Sequence, residues 1–368
     1  MKFLLEFTKK LIQSPSISPL DLDCQKIIRK ILISLGFIVK TIDFSDTKNT
    51  LAWKIGMKNS KSFAFSCHTD VVHPGNYSLW KFPPFKASIE GNYLYGRGVV
   101  DMKGAISSMI FALKNFLKKN PFHNEEILFF ITSDEESKAR FGTKKIVEYL
   151  IRKKKKIHYC LIGEPSSKFF VGDQIRIGRR GSLNIKIFVY GAQKHVAYSN
   201  GFENPYHKSI FFLKNFLNQE KFNFQIIDIK KEKNISNTHP EKIIIFINIR
   251  YESKVSVPKI KEMIEKALKY YRIKYQIYLE NSSKPFESKK GKFLNKVKNS
   301  IKKVQKFLPQ INNSGGTSDG RFIRKLNCQI VELGLQNATI HQINERVRLD
   351  DLLSLSLIYE EILNNTVL

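Results

Sequence analysis

The sequence is poor in cysteine and in acidic residues, and it has no long uninterrupted apolar stretch. Its cysteines, Cys24, Cys67, Cys160 and Cys328, show no C-x-x-C spacing, which gives no sign of a disulfide framework and indicates reduced thiols. No run of about 18 apolar residues is present, so we expect no membrane-spanning helix. The apolar run near the N-terminus is too short for a secretion signal. We therefore expect a cytoplasmic protein without a membrane partner.

Acidic residues are outnumbered by basic ones, with 33 Asp and Glu against 62 Lys and Arg and a formal net charge of +29. Such an excess is typical of proteins that bind nucleic acids. The lysines are nevertheless spread along the whole chain, and the dense run at 152–156 falls where a helix should end, a position that the helix dipole favours. We attribute the charge to solvated surfaces and expect no nucleic-acid partner.

The order of predicted elements changes twice along the 368 residues. Alternating strands and helices indicate an α/β layer fold with a mostly parallel sheet up to about residue 180. Residues 183–279 then follow the order strand, helix, strand, strand, helix, strand, which predicts a ferredoxin-like βαββαβ unit. We therefore predict a main domain in two parts, residues 1–180 and 286–368, interrupted by an inserted domain at 181–285.

A His-x-Asp motif, His68 and Asp70, follows the apolar strand predicted at 62–66. A neutral imidazole binds divalent metals, and a carboxylate two residues on can orient the ring by accepting its second N–H. His68 is therefore a candidate metal ligand, and Asp70 is its candidate orienting partner.

Further candidate ligands follow predicted strands, at the edge where open α/β sheets bind ligands. They are Asp101, Glu135, Glu136, Glu164 and His341. Taken singly, each has an ordinary structural explanation, such as a helix cap or a solvated turn. Together they supply imidazoles and carboxylates that can hold two metal ions with one carboxylate bridging, while an adjacent carboxylate stays free for acid–base chemistry.

These motifs resemble those of the zinc-dependent aminoacylase and carboxypeptidase superfamily, the M20-like peptidases. The resemblance extends over essentially the whole chain. It rests on the segments 68–72, 95–98, 101–104, 134–136, 163–167, 178–182, 195–198, 314–322 and 341–345. The implied fold is α/β, with a mostly parallel catalytic sheet of the zinc aminopeptidase and carboxypeptidase type and an inserted ferredoxin-like domain through which two chains form a homodimer. The implied activity is hydrolysis of a linear amide bond.

The resemblance implies two Zn²⁺ ions per subunit, with Co²⁺ able to substitute. Asp101 would bridge the two ions. His68 and Glu164 would complete one site, and Glu136 and His341 would complete the other.

Catalytic and substrate-binding roles are implied for other residues. Glu135 would act as general base and Asp70 would orient a ligand, while His195 of the partner subunit would stabilise the oxyanion. The substrate is expected to be a small molecule with several carboxylates. The residues implied to bind it are Arg179, Ser182, Asn237, Arg250 and Thr317.

Three functional hypotheses follow from the sequence. A deacylase whose substrate carries several carboxylates is favoured by Arg179 and Arg180, because guanidinium groups bind carboxylates through two parallel hydrogen bonds. Which of the two arginines faces the substrate stays open. Another deacylase of the superfamily, such as acetylornithine deacetylase, would share every metal ligand. A basic nucleic-acid-binding protein on an inactive hydrolase fold should have lost ligands, and none is lost.

Overall fold

The structure is a computed structural model of the chain, and it describes residues 1–199, 201–217, 222–231 and 237–368. Its helices are α1 (Lys2–Ile12), α2 (Cys24–Ser34), α3 (Gly104–Lys119), α4 (Thr143–Arg152), α5 (Pro205–Leu217), α6 (Val257–Tyr270), α7 (Lys292–Gln305), α8 (Gly320–Ile323) and α9 (Leu349–Val367). Its strands are β1 (Ile38–Thr41), β2 (Asn49–Lys54), β3 (Ser62–His68), β4 (Ser88–Glu90), β5 (Tyr93–Tyr95), β6 (Glu126–Thr132), β7 (Tyr159–Ile162), β8 (Gln174–Arg176), β9 (Gly178–Arg179), β10 (Gly181–Tyr190), β11 (Lys194–His195), β12 (Phe222–Lys231), β13 (Thr238–His239), β14 (Lys242–Tyr251), β15 (Lys274–Ser283), β16 (Phe286–Glu287), β17 (Gln310–Asn312), β18 (Gln329–Glu332) and β19 (Arg346–Arg348).

These elements belong to two compact units. The first unit consists of Met1–Gly178, Ser288–Ser314 and Ser318–Leu368, and the second consists of Arg179–Glu287 and Gly315–Thr317. The first unit is therefore built from distant parts of the chain, with the second inserted between them.

The main sheet of the first unit has eight strands in the order β1-β2-β6-β3-β7-β18-β8-β17. Its central strand β3 runs parallel to β6 on one side and to β7 on the other, and β18 continues the parallel arrangement beside β7. Every residue of β3, β6 and β7 is buried, as expected for parallel strands that are covered on both faces. The predicted α/β fold with a mostly parallel main sheet is confirmed.

Helix α3 has apolar residues at helical spacing, as its sequence predicts. Ile106, Met109, Ile110 and Leu113 are fully buried, and the helix packs against α9. The helix begins at Gly104, where a Cβ atom would lie 2.4 Å from the Val99 carbonyl oxygen and 2.9 Å from a side-chain carbon of α9. This close approach requires glycine. It lets the start of α3 pack directly against Val99 and α9.

The second unit has the predicted βαββαβ order, formed by β10, α5, β12, β14, α6 and β15. Its four strands are antiparallel and lie in the order β12-β14-β10-β15. Along β10 the residues Leu183, Ile185, Ile187 and Val189 are buried, while those between them are exposed or partly buried. One face of this sheet therefore packs into a core, as is common for antiparallel sheets.

The four cysteines are free and buried, as the spacing of these residues suggests. Cys67 lies within β3 and is 3% exposed, and burial raises the pKa of its thiol to about 12. It is therefore a structural residue of the strand rather than a nucleophile. A search of the described residues reveals no helix with both the length and the apolar character needed to cross a membrane.

Candidate metal centre

Strand order in the first unit brings the sequence-predicted ligands to one edge of the main sheet. His68 is the last residue of β3, Glu136 lies in the loop after β6, and Glu164 lies in the loop after β7. Because β6, β3 and β7 are adjacent and parallel, their carboxyl ends meet at the same edge. Asp101 reaches this edge from the turn that precedes α3, and His341 reaches it from the loop that follows β18.

One group of ligand atoms is formed by His68, Asp101 and Glu164, all of which are buried. Nε2 of His68 lies 3.1 Å from Oδ1 of Asp101 and 3.6 Å from Oε1 of Glu164. The three ligand atoms lie within 4.8 Å of one another, so one cation could contact all three.

A second group is formed by Asp101, Glu136 and His341. Nε2 of His341 lies 2.9 Å from Oε1 of Glu136 and 3.3 Å from Oδ2 of Asp101. The two carboxylate oxygens of Asp101 thus face different imidazoles, Oδ1 toward His68 and Oδ2 toward His341. This is the arrangement expected of a carboxylate that bridges two metal ions.

Glu135 lies beside these groups, and one of its oxygens falls within 4.8 Å of ligand atoms of His68 and Glu136. Distance alone therefore allows Glu135 to be a ligand or a free base. Burial, followed by the carboxylates of Glu164, Asp319 and Glu136, raises the pKa of Glu135 well above its ordinary value. A carboxyl group with a raised pKa is a stronger base than an ordinary carboxylate and is suited to proton transfer.

The carboxylates at this edge strongly stabilise positive charge. Hydrogen bonds to Asp101 and Glu136 raise the pKa of His341 to about 10. Burial lowers the pKa of His68, but the nearby carboxylates of Asp101, Asp70 and Glu164 outweigh burial and raise it well above the ordinary value. A set of imidazole nitrogens and carboxylate oxygens with this preference fits Zn²⁺ or a similar divalent ion.

The contacts of Asp70 differ from the prediction that its carboxylate is the main acceptor for the His68 ring. Nδ1 of His68 lies 2.9 Å from the main-chain oxygen of Asp70, and 3.5 Å from its carboxylate. The carboxylate instead accepts backbone N–H groups of Glu135 and Glu136 at 3.1 and 3.0 Å and the hydroxyl of Ser18 at 2.6 Å. Asp70 therefore orients the imidazole through its carbonyl group and the Glu135 loop through its side chain.

Sequence reasoning missed other acidic residues around the centre. Asp134 accepts the backbone N–H groups of Ala139, Arg140 and Phe141 at 2.8 to 3.0 Å, which shapes the loop after Glu136. Asp319 is buried close enough to influence the Glu135 carboxyl, and burial raises its own pKa to about 6. Both belong to motifs that the sequence analysis quoted, so the acidic residue types were visible, but not their contacts.

Two of the predicted catalytic and substrate residues lie close together at a small two-stranded sheet of the second unit. β11 and β13 pair, with His195 opposite Thr238. Nε2 of His195 lies 3.3 Å from the side-chain nitrogen of Asn237, and its ring lies beside Tyr198. His195 and Asn237 are exposed.

The remaining predicted substrate residues also lie in the second unit. Arg250 is opposite Ser182 in the ladder between β14 and β10, and burial together with the charge of Arg180 lowers the pKa of Arg250. Arg179 is buried and donates a hydrogen bond to the carbonyl oxygen of Gly316, at 3.4 Å, in the same short segment as Thr317. The unit thus contains several guanidinium groups of the kind that bind carboxylates.

Comparisons with known proteins identify similar sequences and folds. The profile of peptidase family M20/M25/M40 matches residues 64–365. Curated proteins named succinyl-diaminopimelate desuccinylase are similar along nearly their whole length. The one from Buchnera aphidicola subsp. Baizongia pistaciae is 43% identical over 366 residues, covering 97% of this chain and 96% of the relative, and the one from Blochmanniella floridana is 41% identical over 380 residues, covering 99% of each.

Solved structures with low sequence identity share the fold. The M20 family metallo-carboxypeptidase Sso-CP2 from Sulfolobus solfataricus has a TM-score of 0.78 at 19% identity and covers 99% of both chains. The YXEP protein of Bacillus subtilis, described as a dinuclear metal binding peptidase from the M20 family, has a TM-score of 0.72 at 13% identity, covering 98% of this chain and 96% of its own.

Proposed function

The chain belongs to peptidase family M20/M25/M40, and from that premise we propose that it is a succinyl-diaminopimelate desuccinylase. It would hydrolyse N-succinyl-LL-2,6-diaminopimelate to succinate and LL-2,6-diaminopimelate, in the pathway to lysine and cell-wall precursors. The observation that carries this proposal is the 41–43% identity to curated desuccinylases over nearly the whole length. The complete set of candidate ligands favours an active hydrolase over a nucleic-acid-binding protein.

We propose two Zn²⁺ ions per subunit, with Co²⁺ able to substitute. The donor geometry supports one ion held by His68, Asp101 and Glu164, and another held by Glu136, Asp101 and His341. When bound, such ions would polarise an amide carbonyl. They would also lower the pKa of a water molecule, so that it can be deprotonated at neutral pH and attack the carbonyl carbon.

The protein itself would supply the proton transfer through Glu135. Its carboxylate would accept the proton of the attacking water and later return it to the nitrogen of the departing amine. The position of Glu135 supports this role, since one of its oxygens lies within 4.8 Å of ligand atoms of His68 and Glu136, and burial raises the pKa of its carboxyl group. Asp70 would keep Glu135 in place through the backbone N–H that its carboxylate accepts.

Residues of the second unit would bind and align the substrate. Arg179 and Arg250 would bind substrate carboxylates, since guanidinium groups make paired hydrogen bonds to such groups. Asn237 would hold a substrate carboxylate together with Arg250, opposite Arg179 on the other side, and Ser182 and Thr317 would add further contacts to the substrate.

We further propose that the protein is a cytoplasmic homodimer in which His195 acts at the active site of the partner subunit. There its imidazole N–H would stabilise the oxyanion of the tetrahedral intermediate. The exposed position of His195 in the two-stranded sheet of β11 and β13 supports a role in contact with another molecule. The long edge strand β12 of the second unit supports dimerisation, because exposed sheet edges are usually covered or paired.

A direct assay tests the substrate. Purified protein with added Zn²⁺ is incubated with N-succinyl-LL-2,6-diaminopimelate or with N-acetylornithine, and the release of free amine is followed. We expect turnover of the succinylated substrate with a much higher kcat/KM than that of the acetylated one. A preference for N-acetylornithine would instead assign the chain to another deacylase of the family. Failure to release amine from either substrate would contradict the proposed function.

A further inference from the structure

Two buried charges connect the loop that carries Asp101 to the loop that carries His341. Nη1 of Arg97 lies 2.7 Å from Oε2 of Glu345, and the two side chains are only 2% and 1% exposed. Neither residue has a part in the proposed proton transfer or substrate binding. A buried ion pair in this position needs a different explanation, because burying charge is unfavourable unless the charges have close partners.

The carboxylate of Glu345 holds the backbone that leads into Asp101. It accepts the N–H groups of Gly98 at 2.8 Å and Val100 at 2.7 Å, and that of Asp101 at 3.3 Å. Gly98 adopts a left-handed conformation with φ +83°, and a Cβ atom there would lie 2.3 Å from a methyl group of Val71. The turn can therefore form only with glycine at this point, and Glu345 determines where the turn places the Asp101 carboxylate.

The second terminal nitrogen of the Arg97 guanidinium group contacts the backbone of His341. Nη2 of Arg97 lies 3.4 Å from the carbonyl oxygen of His341, while the guanidinium carbon lies 5.2 Å from the centre of the Trp80 ring. His341 has φ +60° and Asn344 has φ +61°, both in the left-handed region that side chains other than glycine rarely adopt. Such backbone persists where the surroundings hold it, and here Arg97 and Glu345 are part of those surroundings.

We propose that Arg97 and Glu345 form a positioning clamp that sets the affinity of one metal ion more than that of the other. This inference rests on the two-metal site of the proposed function. The Asp101–Glu136–His341 group depends on the clamp at two of its three ligands. The His68–Asp101–Glu164 group depends on it only at Asp101, because His68 is the last residue of β3 and Glu164 follows the end of β7 by two residues.

The clamp makes a prediction that a merely stabilising ion pair does not. If the ion pair only stabilised the fold, replacing it would lower the unfolding midpoint of the metal-free protein without changing one metal affinity more than the other. A positioning clamp separates them, since residues that orient metal ligands typically change metal affinity by about 10- to 100-fold when they are replaced. Stepwise metal binding is therefore the informative measurement.

The experiment titrates full-length protein with Co²⁺ and follows its visible absorption, with affinities measured by calorimetry. We expect Glu345→Gln to bind its first Co²⁺ within a few-fold of the wild-type affinity and its second about 10- to 100-fold more weakly. The substitution replaces one carboxylate oxygen with an NH₂ group, which cannot accept the backbone N–H groups that Glu345 now accepts. A His341→Ala protein, which keeps only the His68 group intact, provides the reference spectrum for the first ion.

A matched control is available at the opposite edge of the same sheet. Glu125, just before β6, is a buried carboxylate that accepts the backbone N–H of Lys61 and the hydroxyl of Ser60. Glu125→Gln should bind both Co²⁺ ions as the wild type does, even where its unfolding midpoint falls by as much as that of Glu345→Gln.

Arg97→Lys provides a second test that applies even where Glu345→Gln does not fold. A lysine ammonium keeps the charge but lacks the fork that reaches both Glu345 and the His341 carbonyl group, so the second Co²⁺ should again weaken selectively. Equal weakening of both ions, unchanged affinities, or a first-ion spectrum unlike that of His341→Ala would overturn the clamp. If the wild type binds two ions and releases amine while the variants match it, only the clamp is wrong. If the wild type binds fewer than two ions, the two-metal site is wrong and the clamp with it.

Discussion

The two units of the chain differ in how much charge they bury. The first unit buries ionic side chains in quantity, among them Asp70, Arg97, Lys103 and Glu345. In the second unit, the described residues include no buried carboxylate, and the core consists of apolar side chains from β10, β14 and its two helices. Because buried charges are unfavourable without partners, the buried carboxylates of the first unit must lie close to groups that compensate them, whereas among the described residues of the second unit the charged residue that is buried is Arg179 and most polar residues are open to solvent.

The strands show the same contrast. β3 and β6 are buried along their whole length, while β14 alternates between buried and partly exposed residues. Where both faces of a sheet are covered, the strand ends are the place where polar side chains can gather. In a sheet with one open face, polar groups are distributed along every strand. The candidate metal ligands accordingly lie in the first unit, and the second unit holds the residues that we propose for binding substrate and partner.

Removal of metal should have the largest effect on this contrast. Dialysis against a chelator should abolish amine release, and added Zn²⁺ should restore it. Because ligand binding stabilises the structure that it contacts, the backbone amides of the loops after β3 and β6 should exchange hydrogen faster without metal. The amides of β10 and β14 should not change. Equal loss of protection in both units, measured by hydrogen exchange and mass spectrometry, would contradict the assignment of the metals to the first unit.

Replacement of Glu135 should separate chemistry from metal binding within the first unit. Glu135→Gln should keep close to two metal ions per chain while kcat falls by a factor of about 10² to 10⁴, the scale of general acid–base catalysis. Metal content by elemental analysis and steady-state kinetics check this. Loss of one ion in the variant would show instead that Glu135 is a ligand.

Replacement of His195 tests whether the second unit contributes to catalysis across a dimer. His195→Ala should keep both metals and its dimeric state but lose about 10² to 10³ in kcat, the usual cost of one oxyanion donor. Mixing it with Glu135→Gln should restore up to one working site per heterodimer, since intact Glu135 of one chain then meets intact His195 of the other.

Two controls make that mixing experiment decisive. Subunit exchange is followed independently by mass spectrometry of differently labelled chains. Each variant incubated alone under the same conditions should stay inactive. If exchange is complete and no activity returns, His195 acts within its own chain or not at all.

A core substitution in the second unit should change stability and leave metal binding alone. Ile245 is fully buried in β14, so Ile245→Ala should lower the free energy of unfolding by about 2–5 kcal/mol, as expected for a cavity in a packed core. Ile244→Ala, on the more open face of the same strand, should cost less. Denaturant unfolding measures both, and a change in Co²⁺ affinity in either variant would argue against the separation of roles.

Much of the first unit could be predicted because the sequence features that indicate its strands and candidate ligands extend over only a few residues. β6 (Glu126–Thr132) and β7 (Tyr159–Ile162) are short apolar runs of the kind that the sequence analysis reads as buried strands. The carboxylates that follow those runs were recognisable as ligand candidates for the same reason. Apolar burial and strand propensity act over a few residues, so a single sequence contains them.

The network behind the ligands was not predictable, because it joins distant parts of the chain. Arg97 and Glu345 are 248 positions apart, and the carboxylate of Asp70 meets the N–H of Glu135 across 65 positions. No spacing rule relates such residues. Their contacts form only when β3 and β6 have paired and residues Ser318–Leu368 have packed against Met1–Gly178 in the first unit.

The sequence by itself determined the layered α/β fold, the inserted βαββαβ unit and the residue types of the metal centre, since hydrophobic periodicity and side-chain chemistry are properties of the chain. Only the tertiary structure decided that Asp101 turns one oxygen toward His68 and the other toward His341. It also decided that the main-chain oxygen of Asp70, rather than its carboxylate, lies closest to the His68 ring. Both outcomes depend on distances of a few tenths of an ångström, which packing sets and residue order does not encode locally.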